Sequence, residues 1–185
     1  MNARLPLPKW VLYMVGGLAL LWAAAWLGGI RVNTSASIPT GVWLETAAPP
    51  FKGALVRGAI VTFCPPDTPA FRLAKQRGYI GAGWCPHAYQ PLFKPVVAVA
   101  GDRISVSPTG IDVNGVHVPN SAPLRADNAR KPLPTPPYGK YTVSPGSVWV
   151  VSSYNRESFD SRYFGSVEIS AVRSIVVPLW VKGHT

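Results

Sequence analysis

The chain is short of acidic residues and of the side chains that bind metal ions. Only 8 Asp and Glu stand against 18 Lys and Arg in 185 residues, which gives a formal net charge of +10. The three histidines (His87, His117 and His184) lie far apart, and the two cysteines, Cys64 and Cys85, form no CxxC pattern. Structural zinc sites need about four ligands at close spacing. We therefore expect no metal and no other cofactor.

The positive charge is spread along the chain. Basic residues run from Arg4 to Lys182, and Arg130 with Lys131 is the one adjacent pair. Such a charge attracts a protein to anionic lipid headgroups or to nucleic acid. Because no basic helix, zinc-finger spacing or RNA-binding signature accompanies it, we expect the membrane surface as a partner and no nucleic acid.

Long uncharged segments are also scarce, with one exception at residues 10–30. As a helix this segment would measure about 31 Å, which matches the hydrocarbon core of a bilayer. Arg4 and Lys9 precede it, so we predict a cytoplasmic N-terminus. The alternative is a cleaved signal peptide, but the segment is longer than the apolar core of such peptides and lacks a small-x-small site at its end. We predict an uncleaved single-pass anchor in residues 1–31 and an exported domain in residues 32–185.

The rest of the chain has few segments long enough for helices, because proline and glycine recur throughout it. Residues 58–63, 91–100 and 148–151 are rich in β-forming side chains and predict strands. An Asn-Gly pair at 114–115 predicts a tight hairpin. From residue 120 to 137 five prolines predict a long surface loop. The fold class is therefore mainly β, in one domain.

One short helix, at about residues 69–77, is predicted between the two cysteines. Thr68 is a suitable N-cap, Pro69 fits the first turn, and Gly78 ends the helix. In an oxidising compartment Cys64 and Cys85 would close a loop of about 20 residues, which would stabilise the fold by roughly 3 kcal/mol. We expect this insertion to carry a disulfide.

Two features could carry chemistry, and each also has a plain structural interpretation. Residues 33–43 concentrate hydroxyl groups just after the apolar segment, and Ser37 there is either a nucleophile or part of a linker. Lys94 lies in an apolar strand, where burial would favour its neutral form and make it a base. Its alternative role is to protect an exposed sheet edge. With so few histidines, lysine is the better candidate for activating a serine.

A third feature is the polar segment 155–165, which lies between two predicted strands. It is either a solvated loop with a weak surface pair between Asp160 and Arg162, or a loop that folds over a site and brings Ser158 to Lys94. Neither Ser37 nor Lys94 alone would indicate an enzyme, but the three features together favour one.

These segments, in this order, resemble the type I signal peptidase family, whose members use a Ser/Lys dyad, and in particular its TraF-type branch from conjugative plasmids. Residues 37–43 are similar to the nucleophile motif, 58–63 to the Gly-Asp-Ile-Val-x-Phe strand, and 94–102 to the lysine motif that ends in Gly-Asp. Residues 158–165 match the Ser-x-Asp-Ser-Arg-x-aromatic-Gly motif. The resemblance covers nearly the whole chain.

The resemblance implies a role for each matching residue. Ser37 would be the nucleophile and Lys94 the general base, while the backbone N–H of Ser37 and the hydroxyl of Ser35 would form the oxyanion hole. Most signal peptidases have two residues between the serine and the proline, whereas here there is one, which leaves Ser35 as the alternative nucleophile. The residues expected to support the site are Ser158, which would orient Lys94, and Asp160, which would act through Arg162.

Three further positions depart from the family pattern. Ala59 replaces an aspartate, Pro95 an arginine and Ala100 a proline, changes that affect packing more than chemistry. The resemblance implies a bacterial inner-membrane serine endopeptidase that faces the periplasm and processes an exported polypeptide. The TraF branch further implies a conjugative pilin precursor and head-to-tail cyclisation. A general leader peptidase and a non-catalytic component of a secretion channel are the alternatives.

Overall fold

The computed structural model describes residues 8–47 and 55–182. Its first element is helix α1, Lys9–Leu27, whose 19 residues are apolar enough to cross a membrane and bury none of their side chains in the fold. The helix ends three residues before the predicted end, because Gly28 and Gly29 leave the helical conformation and Ile30 begins a strand. Residues 28–30 are therefore not part of the helix, and the anchor bounds 1–31 stay a prediction. Arg4, used above for the orientation, lies outside the described residues.

The connection from α1 to the first strand is short and well tied. Gly29 accepts a hydrogen bond from Glu45 N at 2.9 Å. Arg31 donates to the carbonyl of Trp26 at 2.7 Å, lies 4.0 Å from the centre of the Trp26 ring, and forms an ion pair with Glu45 at 2.7 Å. A cation at the C-terminus of a helix also complements the helix dipole. The end of α1 is thus fastened to the sheet.

Twelve strands follow within the described residues, and neighbouring strands pair in antiparallel fashion. They are β1 Ile30–Asn33, β2 Gly41–Ala47, β3 Ile60–Phe63, β4 Ala82–Cys85, β5 Leu92–Ala98, β6 Arg103–Ser107, β7 Gly110–Val113, β8 Val116–His117, β9 Gly139–Thr142, β10 Ser147–Val150, β11 Val167–Glu168 and β12 Val172–Val181. Seven form a sheet in the order β1-β2-β12-β3-β5-β10-β11, and four form a second sheet in the order β8-β7-β6-β9.

The mainly β prediction is confirmed, with shifts at the ends of the elements. The predicted strands at 58–63, 91–100 and 148–151 correspond to β3, β5 and β10. Asn114 and Gly115 both have positive φ, as a type I′ hairpin requires. The first strand, β1, was not predicted, because its apolar residues continue the hydrophobic pattern of the helix.

The second sheet packs on the end of the first through an apolar layer. Ile104, Val106 and Ile111 from the second sheet meet Ala98 and Trp149 from β5 and β10. A larger core on the other side of the long sheet includes Phe63, Phe71 and Tyr163. Strands β5 and β10 thus contribute side chains to both layers.

The insertion between β3 and β5 is closed by the expected disulfide. Cys64 and Cys85 are bonded, with their Cα atoms 5.5 Å apart. Inside the loop, helix α2 spans Pro69–Gln76 and buries Phe71 against the core, close to the predicted 69–77. The Tyr79 hydroxyl donates to the Asp127 carboxylate, so the insertion contacts the proline-rich loop 120–137. That loop has one isolated bridge, between Ala126 and Pro132.

Candidate active site

The hydroxyl-rich segment forms a loop between two paired strands. Asn33 of β1 pairs with Gly41 of β2, so residues 34–40 project from the end of that hairpin. Ile38 is 1% exposed and packs with Trp43 and Val176, which anchors the loop in the core. Gly41 has φ +144°, and a Cβ there would lie 2.2 Å from the carbonyl oxygen of Trp180. The glycine is required because β12 approaches so closely.

Ser37, Lys94 and Ser158 meet beneath this loop. Lys94 Nζ donates to Ser37 Oγ at 2.6 Å and to Ser158 Oγ at 2.7 Å, and Ser158 Oγ donates to Ser37 Oγ at 3.1 Å. The three come from the β1–β2 loop, β5 and the segment before helix α3, Ser161–Phe164. The structure therefore brings together three residues that are separated by 57 and 64 positions.

Lys94 lies on the buried face of β5 with Val96 and Ala98 and is 4% exposed. An ammonium group without water is costly. Burial therefore lowers the pKa of Lys94 from 10.5 to about 8, against the opposing effect of the Asp160 carboxylate and with help from the positive charge of Arg162. A lysine with this pKa is partly neutral near physiological pH and can accept a proton.

The pair Asp160–Arg162 is fully buried and does not lie on a solvated loop. Arg162 Nη2 and Nε donate to the Asp160 carboxylate at 2.7 and 2.8 Å, and both side chains are inaccessible to solvent. Arg162 also donates to the carbonyl of Ser158 at 3.0 Å and to two other backbone carbonyls of that segment, Asn155 and Arg156. The pair holds the backbone that presents Ser158.

Ser152 also contacts the site, although the sequence analysis did not identify it. Its hydroxyl donates to the backbone carbonyl of Ser37, and its N–H donates to Asp160 Oδ2 at 2.9 Å. Asp160 therefore reaches the Ser37 loop through Ser152, a connection between residues 115 positions apart. No local pattern in the sequence indicates it.

Ser35 lies on the same loop, but none of its hydrogen bonds is to Lys94. Its hydroxyl donates to Asn33 Oδ1 at 2.8 Å, and its side chain is exposed. Of the two serines weighed as nucleophile, Ser37 is therefore the one bonded to the buried lysine. Asn33 was also missed, although an asparagine that ends a strand before a Ser/Thr-rich loop is a common turn signal.

A cleft of about 500 Å³ opens at these residues. Its lining includes the Ser37 loop, Tyr79 and Ile80 of the disulfide-closed insertion, Asp127 of the proline-rich loop, and Lys94. Its size suits a short extended peptide. Within the described residues no three His, Cys, Asp or Glu side chains are grouped to hold a metal ion; the expectation of no cofactor stays a prediction.

The sequence compares closely with known proteins. The family described as signal peptidase, peptidase S26, matches residues 8–180. This chain belongs to that family. A plasmid transfer protein TraF from Escherichia coli is 41% identical over 165 residues, covering 89% of this chain and 90% of its own. A probable conjugal transfer protein TraF from Sinorhizobium fredii is 38% identical over 152 residues, covering 81% and 76%.

A solved structure overlaps less well. A signal peptidase I from Enterococcus faecalis has a TM-score of 0.37 at 18% identity, covering 66% of this chain and 97% of its own. This overlap is too partial to bear on the function. Membership in the peptidase S26 family, by contrast, places the chain among the peptidases and confirms the resemblance given above.

Proposed function

We propose that the chain is a Ser/Lys endopeptidase in which Ser37 is the nucleophile and Lys94 the general base. The observation that carries this proposal is the 2.6 Å contact between Lys94 Nζ and Ser37 Oγ, at a lysine whose pKa burial lowers to about 8. When Lys94 is neutral, the same contact can run in the opposite direction, with the Ser37 hydroxyl donating to the nitrogen lone pair.

The reaction then proceeds through an acyl-enzyme. Ser37 Oγ loses its proton to Lys94 Nζ and bonds to the scissile carbonyl carbon, whose oxygen becomes an oxyanion. The backbone N–H of Ser37 and the hydroxyl of Ser35 stabilise that charge. The bond from carbon to nitrogen breaks, Lys94 returns the proton to the departing amine, and the acyl group remains on Ser37. Ser158 keeps Lys94 oriented during both proton transfers.

Asp160 and Arg162 support the site without touching the substrate. Their ion pair fixes the backbone of Ser158 on one side and Ser152 on the other, and Ser152 holds the carbonyl of Ser37. Catalysis depends on the relative placement of nucleophile and base, and small displacements are costly. Both residues act here as positioning residues.

The substrate we propose is a conjugative pilin precursor, which the names of the TraF relatives support through their link with plasmid and conjugal transfer. In the second half of the reaction the precursor's own amino terminus attacks the acyl-enzyme. Its nitrogen bonds to the acyl carbon, the bond to Ser37 Oγ breaks, and the amine proton returns to Ser37 through Lys94. The product is a ring, lighter by one water than the hydrolysed chain.

We place the protein in the bacterial inner membrane with α1 as its anchor and the catalytic domain in the periplasm. Three features support this: the 19-residue apolar helix, Lys9 at its N-terminal end and the disulfide, which persists in oxidising compartments. The cleft then opens near the bilayer surface, where a membrane-bound precursor is accessible.

The test is to express the full chain with its pilin precursor and to weigh the product. We expect a cyclic product, its loss in Ser37→Ala, and a rate that falls about tenfold per pH unit below pH 8, because protonated Lys94 cannot accept a proton. Thr109→Ala, in a turn of the second sheet, is the control and should process normally.

The outcomes separate the parts of the proposal. Processing by Ser37→Ala would exclude the mechanism. Unchanged cellular function of Lys94→Ala, with no processing by the wild-type chain, would favour a channel component without catalysis. A linear product would remove cyclisation alone. Rescue of cells that lack their leader peptidase would favour the general signal peptidase.

A further inference from the structure

Asn33 is a buried amide placed directly beside the Ser37 loop. It is the last residue of β1, it pairs with Gly41, and it is 5% exposed. Its side chain therefore points into the space enclosed by residues 34–40. Nothing in the mechanism above uses it.

The hydrogen bonds of Asn33 reach both sides of Ser37. Its Nδ2 donates to the carbonyls of Ser35 at 2.8 Å, Ile38 at 3.2 Å and Pro39 at 3.2 Å. Its Oδ1 accepts from the N–H of Ser35 at 3.1 Å and from the hydroxyl of Ser35 at 2.8 Å. A primary amide is the group that offers both donors and an acceptor here, since a carboxylate has no donor and an ammonium no acceptor.

These contacts bear on the oxyanion hole in two ways. Asn33 holds the carbonyl of Ser35, two residues before Ser37, and those of Ile38 and Pro39 after it. Ser152 holds the carbonyl of Ser37 itself, so the loop is fixed both before and after the nucleophile. The hydroxyl of Ser35 has one proton, and that proton is already donated to Asn33. For this hydroxyl to donate to an oxyanion, it must rotate away from Asn33.

We propose that Asn33 is a positioning residue of the oxyanion hole, which fixes the Ser37 loop and holds the Ser35 hydroxyl until the oxyanion forms. This proposal rests on the peptidase mechanism proposed above. A hydrogen bond to an ionised oxygen is stronger than one to a neutral amide. The hydroxyl therefore prefers Asn33 in the resting enzyme and the oxyanion in the transition state. No covalent bond changes, because the step is a rotation about the Cβ–Oγ bond of Ser35.

The hydrogen bond from the Ser35 hydroxyl to the oxyanion exists in the transition state and not with the bound substrate, and its geometry depends on the loop that Asn33 fixes. An interaction made only in the transition state changes kcat and leaves KM unaltered. A loss of folding stability alone would lower the amount of active enzyme without coupling Asn33 to Ser35. The two roles can thus be separated by kinetics on folded protein.

The test is a double-mutant cycle on the full chain with its pilin precursor as substrate. We expect Ser35→Ala, which removes an oxyanion donor, to lower kcat by about 100-fold and Asn33→Ala by about 10- to 100-fold, with KM changed by less than about twofold. In the Asn33→Ala background, Ser35→Ala should cost less than about threefold, because residues that act together are not additive. The pH at half-maximal rate should stay at the wild-type value, since neither residue touches Lys94.

Two further variants keep the test decisive. Asn33→Asp has the same size and keeps the acceptor but loses the donors, so it should also lower kcat and is available if Asn33→Ala does not fold. Asn114→Gly removes an asparagine side chain with two hydrogen bonds in the second sheet, at a position with φ +51°, and should leave kcat unchanged.

Multiplicative effects of the two alanine substitutions, or a rise in KM with kcat unchanged, would overturn the proposal. If instead Ser37→Ala remains active, the peptidase mechanism itself fails, whatever the Asn33 variants do. Inactive Ser37→Ala together with fully active Asn33→Ala and Asn33→Asp would remove the role of Asn33 alone.

Discussion

The two sheets of this protein bury different kinds of side chain. The layer beneath the four-stranded sheet is apolar, built from residues such as Ile104, Val106 and Ile111. The long sheet and the segment beside it bury a lysine, an aspartate and an arginine whose charges act on one another, namely Lys94, Asp160 and Arg162. In the described residues no buried side-chain nitrogen or oxygen lacks a hydrogen-bond partner.

The difference shows where groups that lower the stability of the fold are retained for a function. Apolar burial stabilises a protein wherever it occurs, whereas buried charge is costly unless it is fully paired. A buried lysine with a lowered pKa is held in an environment that disfavours its charged form. Asp102 beside the second sheet is also buried, but it pairs with the half-exposed Arg57. The buried charges around Lys94 therefore indicate a site that is maintained for chemistry, while the second sheet supports it.

Replacing Lys94 should give the largest contrast between the two regions. Lys94→Met should lower activity by at least about 10³-fold, because the proposed base is lost. Ile104→Ala, in the apolar layer, should cost about 2–5 kcal/mol of stability and leave the activity of the folded fraction unchanged. The measurements are kcat on purified full chains and unfolding by urea. Equal activity losses in the two variants would contradict the assignment of chemistry to the long sheet and of support to the second sheet.

Lys94→Met should lower activity but raise the free energy of unfolding. The pKa of Lys94 is lower in the fold than the ordinary value of 10.5, so the unfolded chain binds more protons between pH 8 and 10.5. The wild-type protein therefore gains stability as pH rises through that range, on the order of 3 kcal/mol. Lys94→Met should be the more stable protein at pH 7, and its advantage should shrink by pH 10.

Breaking the buried ion pair should have the next largest effect. Asp160→Asn leaves Arg162 charged, buried and without its partner, which should cost about 3–5 kcal/mol. The matched control is Asp112→Asn in the second sheet, where Asp112 pairs with His117 at 2.8 Å and both side chains are partly exposed. Exposed pairs contribute less than about 1 kcal/mol. Similar free energies of unfolding for the two variants would show that burial is not decisive.

Removing the disulfide should have the smallest effect of the three on the site. Cys64→Ser with Cys85→Ser should lower the free energy of unfolding by about 3 kcal/mol, because the unfolded chain gains freedom. The elements that carry Ser37 and Lys94 lie outside the closed loop, so kcat should change by less than about twofold. A larger fall in kcat would show that the insertion orders Ser37 and Lys94 as well as part of the cleft lining.

Local patterns in the sequence indicated much of the fold. The Asn114-Gly115 turn, the strand around Lys94 and the helix that starts at Pro69 each depend on neighbouring residues, and each was found close to its predicted place. The strand β1 was missed because hydrophobicity does not distinguish the end of a membrane helix from an apolar strand.

The candidate site was only partly visible in the sequence. The family resemblance named Ser37, Lys94 and Ser158, and the structure brings their side chains into contact. Asn33 and Ser152 were not found, because their importance lies in contacts that exist only after folding. The burial of Arg162 was likewise hidden, since a polar segment reads as solvated unless its tertiary contacts are known.

The short connection after α1, which contains Gly28 and Gly29, limits the distance between the helix and the cleft. Gly29 is hydrogen-bonded to β2, and Arg31 is hydrogen-bonded to the carbonyl of Trp26. The connection between the helix and the sheet that carries Ser37 is therefore short and held in place. From Leu27 to Asn33 the chain can extend at most about 20 Å. With α1 in a bilayer, the helix would hold the cleft at a fixed height above the lipid. That height would determine which peptide bond of a membrane-bound precursor reaches the cleft.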